Sequence, residues 1–161
     1  MNIFGGSGGR CLEMTNGGTA VFVDVLTLAV ATLAEEPWHY RFAALLTLQD
    51  QSVMGRGVVG FALADLDWGD TPAARAASKT FLLRVVDLAL TRHRWNELTY
   101  DPPRAEGYLR TYRAMVELFD PPPAAGTPGT LPEPATASCV RHRVLDALPL
   151  WEGCVFCTAG V

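Results

Sequence analysis

Apolar residues recur at helical spacing in four stretches of the chain, and most turn-forming residues lie between them. From Ala20 to Ala34, the set Phe22, Val25, Leu26, Ala29 and Leu33 predicts a buried helix. The β-branched opening from Val21 to Val25 leaves a strand as the alternative for its first residues. Pro37 suits the first turn of a second helix, with Phe42, Leu45, Leu46 and Gln49 on one stripe. A third helix would be capped by Asp70 or Thr71 and begin at Pro72. It turns Phe81, Leu82, Val85, Val86 and Ala89 inward and ends near His93 to Trp95. A fourth opens at Asp101 and Pro102, and its series Tyr108, Leu109, Tyr112, Met115, Val116 and Phe119 is the strongest periodic signal. The expected fold is mainly α, a small bundle of about four helices.

The intervening segments divide the chain. Residues 1–18 are glycine-rich and without periodicity, which predicts a flexible N-terminus. Met14 would even serve as a start, leaving residues 1–13 outside the native protein. The helical domain is assigned to 19–120. Within it, Gly55, Gly57 and Gly60 surround short apolar pieces and predict an irregular or briefly extended segment ending at Trp68-Gly69. Residues 121–138 hold six of the eleven prolines and almost no large apolar group, the composition of an extended linker. Residues 139–161 then read as a separate C-terminal module. No internal repeat is found.

That module carries the clearest chemistry. Cys139-Val-Arg-His142 is followed, eleven residues later, by Cys154-Val-Phe-Cys157. Each two-residue gap lets one tight turn aim two ligands at the same ion, and the longer interval lets the turns face each other. Three thiolates and one imidazole complete a closed tetrahedral shell, the arrangement of structural zinc. Gly153 would free the backbone for the second turn. Val144, Leu145, Leu148, Leu150 and Trp151 offer too little cover for independent folding, so metal or docking is required. Competing readings are a disulfide from Cys139 to either later cysteine, a redox Cys154-x-x-Cys157, and an iron–sulfur site. Cys11 stands outside the set.

Composition narrows the setting. With 49% hydrophobic and 19% charged residues, the 161-residue chain is able to bury a core. A net charge of -4 and a pI near 5.3 disfavour broad nucleic-acid binding and docking on anionic lipid, leaving only a local basic patch at Arg141, His142 and Arg143. Twelve arginines against one lysine, Lys79, fit a GC-rich bacterial genome. The apolar run from Ala20 to Ala34 carries Asp24 and is shorter than the roughly 20 residues of a membrane span. Ala29-Val30-Ala31 resembles a signal cleavage site, but no basic cluster precedes it, so a buried helix in a cytoplasmic protein is expected.

Other motifs have bland explanations. Gly55-x-Gly57-x-x-Gly60 matches the dinucleotide fingerprint in letters but lacks the strand before it and the helix after it. Here the glycines more simply let the chain turn and approach a neighbouring helix. Asp65, Asp67 and Asp70 suggest a cation loop, but Ala76 stands where an EF-hand needs glutamate. His39 beside Glu35 and Glu36, and His93, would act as acid–base groups only with partners that sequence does not reveal. Trp38, Trp68, Trp95 and Tyr100 lie near element ends, where they seal a core or anchor a partner. The expectation is a non-enzymatic, zinc-stabilised partner-binding protein of bacterial type: a regulator, an immunity or antitoxin-like protein, or an accessory factor. Its partner would be another protein. The alternatives are a small enzyme with a polar site around Arg56, Asp65, Asp67 and His93, or nucleic-acid binding through the zinc module.

Overall fold

The computed structural model describes residues 1–49, 59–123, 131, 137–139, 141–146 and 154–158, with positions 137–139, 146, 155 and 158 described by their backbone. Among these residues the chain is mainly helical, and the four expected helices are present: α1 Asn16–Leu33, α2 Pro37–Thr47, α3 Pro72–Leu90 and α4 Ala105–Leu118. The boundaries follow local chemistry. Thr15 caps α1 by accepting from the Gly18 amide at 3.1 Å, and Thr71 rather than Asp70 caps α3 by accepting from Ala74 at 3.1 Å. Pro37 and Pro72 each sit in a first turn, where a missing N–H costs nothing. α3 ends at Leu90, three residues before the expected His93, and α4 begins at Ala105 rather than Asp101. Between them the backbone passes through left-handed conformations at Arg92, Arg94 and Arg104.

α1 is the centre of the fold. It lies against α2, α3 and α4 and is buried at Phe22, Val25, Leu26, Leu28, Ala29 and Val30. Among the described residues it is the one helix long and apolar enough to cross a membrane by length and composition; here it is the core helix. Its acidic residue, Asp24, accepts a hydrogen bond from the Tyr100 hydroxyl. Burial, followed by that bond, raises the Tyr100 pKa.

The N-terminus corrects the sequence expectation. Residues 1–18 are not loose: β1 Asn2–Gly5 and β2 Cys11–Met14 form an antiparallel hairpin that leads into α1. The alternation is short but consistent. Phe4, Leu12 and Met14 face the core while Ile3 and Cys11 face outward. Phe4 packs edge-to-face against Phe22 at 5.3 Å and Phe61 at 5.1 Å between ring centroids. Asn2 ties the hairpin to α1 by donating to Asn16 Oδ1 and to Thr19 Oγ1 at 2.9 Å. A chain starting at Met14 would lose Phe4 from the core.

The glycine-rich segment meets this hairpin rather than a helix. The Gly5 amide donates to the Phe61 carbonyl at 3.0 Å, and Gly5 bridges Ala62 in parallel. Gly60 adopts φ +122°, and a Cβ there would lie 1.9 Å from the Ile3 carbonyl oxygen, so only glycine permits this approach. A 3-10 turn, Leu63–Asp65, follows, where a dinucleotide fingerprint would require a helix. Gly55 and Gly57 lie outside the described residues.

Two substitutions probe this core. Phe4→Ala is expected to cost about 3–5 kcal/mol in denaturant unfolding, as for other buried aromatic truncations. A loss below 1 kcal/mol would show that the hairpin is peripheral. Tyr112 is wholly buried, and among the described residues its hydroxyl has no hydrogen-bond partner. Tyr112→Phe should therefore leave stability unchanged or raise it by up to ~1 kcal/mol, and a clear loss would reveal a partner for that hydroxyl.

Candidate metal centre

In the C-terminal region, β3 Ala137–Cys139 pairs antiparallel with β4 Val144–Asp146, with Cys139 opposite Val144. This register sets Cys139 at the mouth of a four-residue loop and His142 within that loop. Cys154 directly precedes a single helical turn, α5 Val155–Thr158, which contains Cys157. A spacing of three brings both sulfurs to one side of that turn.

The Nδ1 atom of His142 lies 3.3 Å from Cys154 Sγ and 3.3 Å from Cys157 Sγ. The two sulfurs are 3.8 Å apart. Zinc bonds sulfur at about 2.3 Å and imidazole nitrogen at about 2.05 Å, so a tetrahedral ion sets two sulfurs about 3.8 Å apart and a sulfur and nitrogen about 3.5 Å apart. The sulfur edge matches and the two nitrogen edges are slightly tighter. These three side chains therefore form a group able to hold a metal ion. A disulfide between Cys154 and Cys157 would need sulfurs about 2.05 Å apart, far closer than the 3.8 Å found. The pair does open a helical turn, as redox motifs do, and the imidazole equidistant from both sulfurs is able to share an ion with them. The Cys139 side chain, and Leu148, Leu150, Trp151 and Gly153, lie outside the described residues.

The site is fastened to the helical domain by an apolar contact and a polar one. Cys154, Phe156 and Val144 are buried with Leu28 of α1, and Ala31 and Leu98 pack against this cluster. β4 lies against α1 and α2. Across the loop, the Arg94 guanidinium donates to the His142 carbonyl at 2.6 Å and to the Arg143 carbonyl at 3.1 Å. Glu97 accepts from Arg94 at 2.5 Å and from Arg143 at 2.6 Å. The hydrogen bond from Arg94, then that from Arg143, holds the Glu97 carboxyl down at about 2. Sequence reasoning missed Leu28, Arg94 and Glu97, which no local spacing connects to the cysteines. A small cleft of about 150 Å³, lined by Leu28, Leu98, Arg141 and Phe156 among others, opens beside this contact. From the expected linker, Leu131 reaches the helical domain, packing on the main core and accepting from Arg41 at 3.2 Å.

The other candidates occupy structural positions. His39 Nδ1 accepts from the Glu35 and Glu36 amides at 3.1 and 3.2 Å, and its ring stacks on Phe81 at 3.5 Å, so it closes the start of α2. His93 shares a 2.8 Å hydrogen bond with Thr32 of α1. Asp67 accepts from the Gly69 amide at 3.1 Å and faces Arg41 at 3.6 Å, while Asp65 is exposed. Arg56 lies outside the described residues. Trp68 and Trp95 are buried; Trp38 stacks between Phe42 and Trp68 and donates to the Asp67 carbonyl at 2.7 Å. A surface cleft of about 420 Å³ near Trp95, Asn96 and Tyr100 has its charged rim paired, Arg92 to Asp101 at 2.9 Å. Cys11 is exposed near Glu13, away from the cluster.

Comparison with known proteins finds no matching family model, no matching curated protein and no matching solved structure. Function must therefore be argued from the site.

The His39 contact has a pH signature. Burial lowers the His39 pKa from its ordinary value of 6.5, against the opposing pull of Glu36 and Glu35 and with help from Arg84. A group depressed in the folded state contributes stability that is fully present above pH 6.5 and lost as pH falls through the folded value. With chelator present to silence the metal centre, wild-type protein should lose more thermal stability between pH 7 and pH 5 than His39→Gln. Parallel melting curves would rule out this role.

Proposed function

We propose that Cys139, His142, Cys154 and Cys157 bind one structural zinc ion, which fixes the C-terminal module on the helical domain, and that the resulting surface binds another protein. The reading rests above all on the 3.8, 3.3 and 3.3 Å separations among Cys154, Cys157 and His142, which suit a single ion. Cys139 supplies the fourth ligand, three residues before His142, the same spacing that separates Cys154 from Cys157. Four protein ligands leave no open position for water, so the metal's role is structural rather than catalytic. Thiolate ligands must stay reduced, which favours a reducing, cytoplasmic setting. The arginine-rich composition fits a bacterial source.

Two observations favour protein binding over the alternatives. Of the polar residues offered as an enzyme site, His93 joins Thr32, Asp67 holds Gly69 and Arg41, and Asp65 is exposed, so the described ones do not converge on a pocket. Nucleic-acid binding through the module is weakened because Arg143 is already engaged by Glu97. A zinc-fixed face on a small helical domain instead suits a regulator, an immunity-type protein or an accessory factor.

Metal analysis of the purified chain should find one zinc per chain. Cys154→Ser or Cys157→Ser should lose it while the helical domain still melts cooperatively. Retained stoichiometric metal in both variants contradicts the assignment. For the partner, zinc-loaded and chelator-stripped chains serve as bait in the native host. A protein retained by the loaded chain alone supports the reading, and salt-sensitive shift of an oligonucleotide without any protein partner would replace it with nucleic-acid binding.

A further inference from the structure

We propose that Arg94 and Glu97 are the positioning residues of the metal centre: they hold the loop carrying His142 in its ligating shape and thereby tie metal loading to docking of the C-terminal module. The proposal rests on the zinc reading above.

Arg94 and Arg143 both sit at left-handed φ, +61° and +53°, a conformation that favours glycine. What arginine adds at each place is its side chain, and the two side chains meet on one carboxylate. Arg94 is largely buried, with 12% of its side chain exposed, so its charge needs compensation, and Glu97 gives it at 2.5 and 3.3 Å. The remaining N–H groups of the Arg94 fork reach two successive carbonyls, those of His142 and Arg143. The planar guanidinium holds the Glu97 carboxylate and both carbonyls at once from three nitrogens, whereas an ammonium has a single nitrogen to share among them. One of the two carbonyls belongs to the ligand residue itself, so the clamp orders the His142 backbone before any ion arrives. Partners of this kind orient metal ligands, and their loss weakens metal binding about 10- to 100-fold. Glu97 also closes the clamp from the other side through Arg143, so the loop is held at its carbonyls and at a side chain.

The same contacts explain how the metal would be felt by the helical domain. Arg94 precedes the 3-10 turn Trp95–Glu97 and Glu97 ends it; Trp95 is buried in the main core, and Leu98 packs on the cluster of Leu28, Cys154 and Phe156. The loop that holds the ion is thus bonded to a turn rooted in the helical core.

The test uses the full chain with zinc alone as ligand, comparing wild type with Arg94→Gly, Arg94→Lys and Glu97→Gln. Zinc affinity is read by chelator competition and metal-free stability by thermal melting. Arg94→Gly relieves the left-handed backbone while removing the clamp. It should still take one zinc per chain but bind it about tenfold or more weakly, with a metal-free melting temperature equal to or above wild type. Arg94→Lys should weaken zinc as well, since one ammonium nitrogen does not hold Glu97 and both carbonyls together, and Glu97→Gln should weaken it too. Unchanged affinity in Arg94→Gly overturns the proposal while leaving the metal site standing. A metal-free melting temperature that falls in step with affinity overturns it as well, since the residue would then be a general part of the fold. A wild-type chain that takes up no zinc sinks this proposal together with the zinc reading.

Discussion

The fold depends on covering one helix from more than one side. α1 is apolar around most of its circumference, and no single packed face satisfies it. Phe22, Val25, Leu26, Ala29 and Val30 enter the main core with the N-terminal hairpin and the other three helices. Leu28 points into a second cluster with Val144, Cys154 and Phe156. A surface helix needs one stripe, whereas a helix hydrophobic all round needs a surrounding shell. The hairpin and the C-terminal segment are parts of that shell.

This requirement gives the C-terminal segment a purpose that its size cannot meet unaided. Its described residues bury only a handful of apolar side chains, and a unit so small does not hold a fixed structure by apolar burial alone. The polar clamp from Arg94 and Glu97 contributes direction, and on the proposed reading a zinc ion contributes most of the ordering free energy. Metal, clamp and the contact on Leu28 then act together: each is weaker when the others are absent.

The sequence made the helices legible because their signals are local. The run Tyr108, Leu109, Tyr112, Met115, Val116 and Phe119 declares an inward face without knowledge of what lies opposite, and Pro37 and Pro72 mark starts by their missing N–H groups. The hairpin was not legible. Four-residue strands show only two alternations, here Asn2/Phe4 and Leu12/Met14, and the surrounding glycines that read as looseness are the turn that permits pairing. The role of Gly60 was half visible: a close approach was expected, but against a helix rather than the Ile3 carbonyl. The cysteine and histidine spacing was legible because two-residue gaps encode local turns. Arg94 and Glu97 were not, because they meet the loop from more than forty residues away and only the folded chain joins them.

The account's central claim concerns the ligands of one ion, and X-ray absorption at the zinc edge reads them directly. The metal-loaded chain should show three sulfurs at about 2.3 Å and one nitrogen at about 2.05 Å. A shell made mainly of oxygen and nitrogen, or one with fewer than two sulfurs, would contradict it.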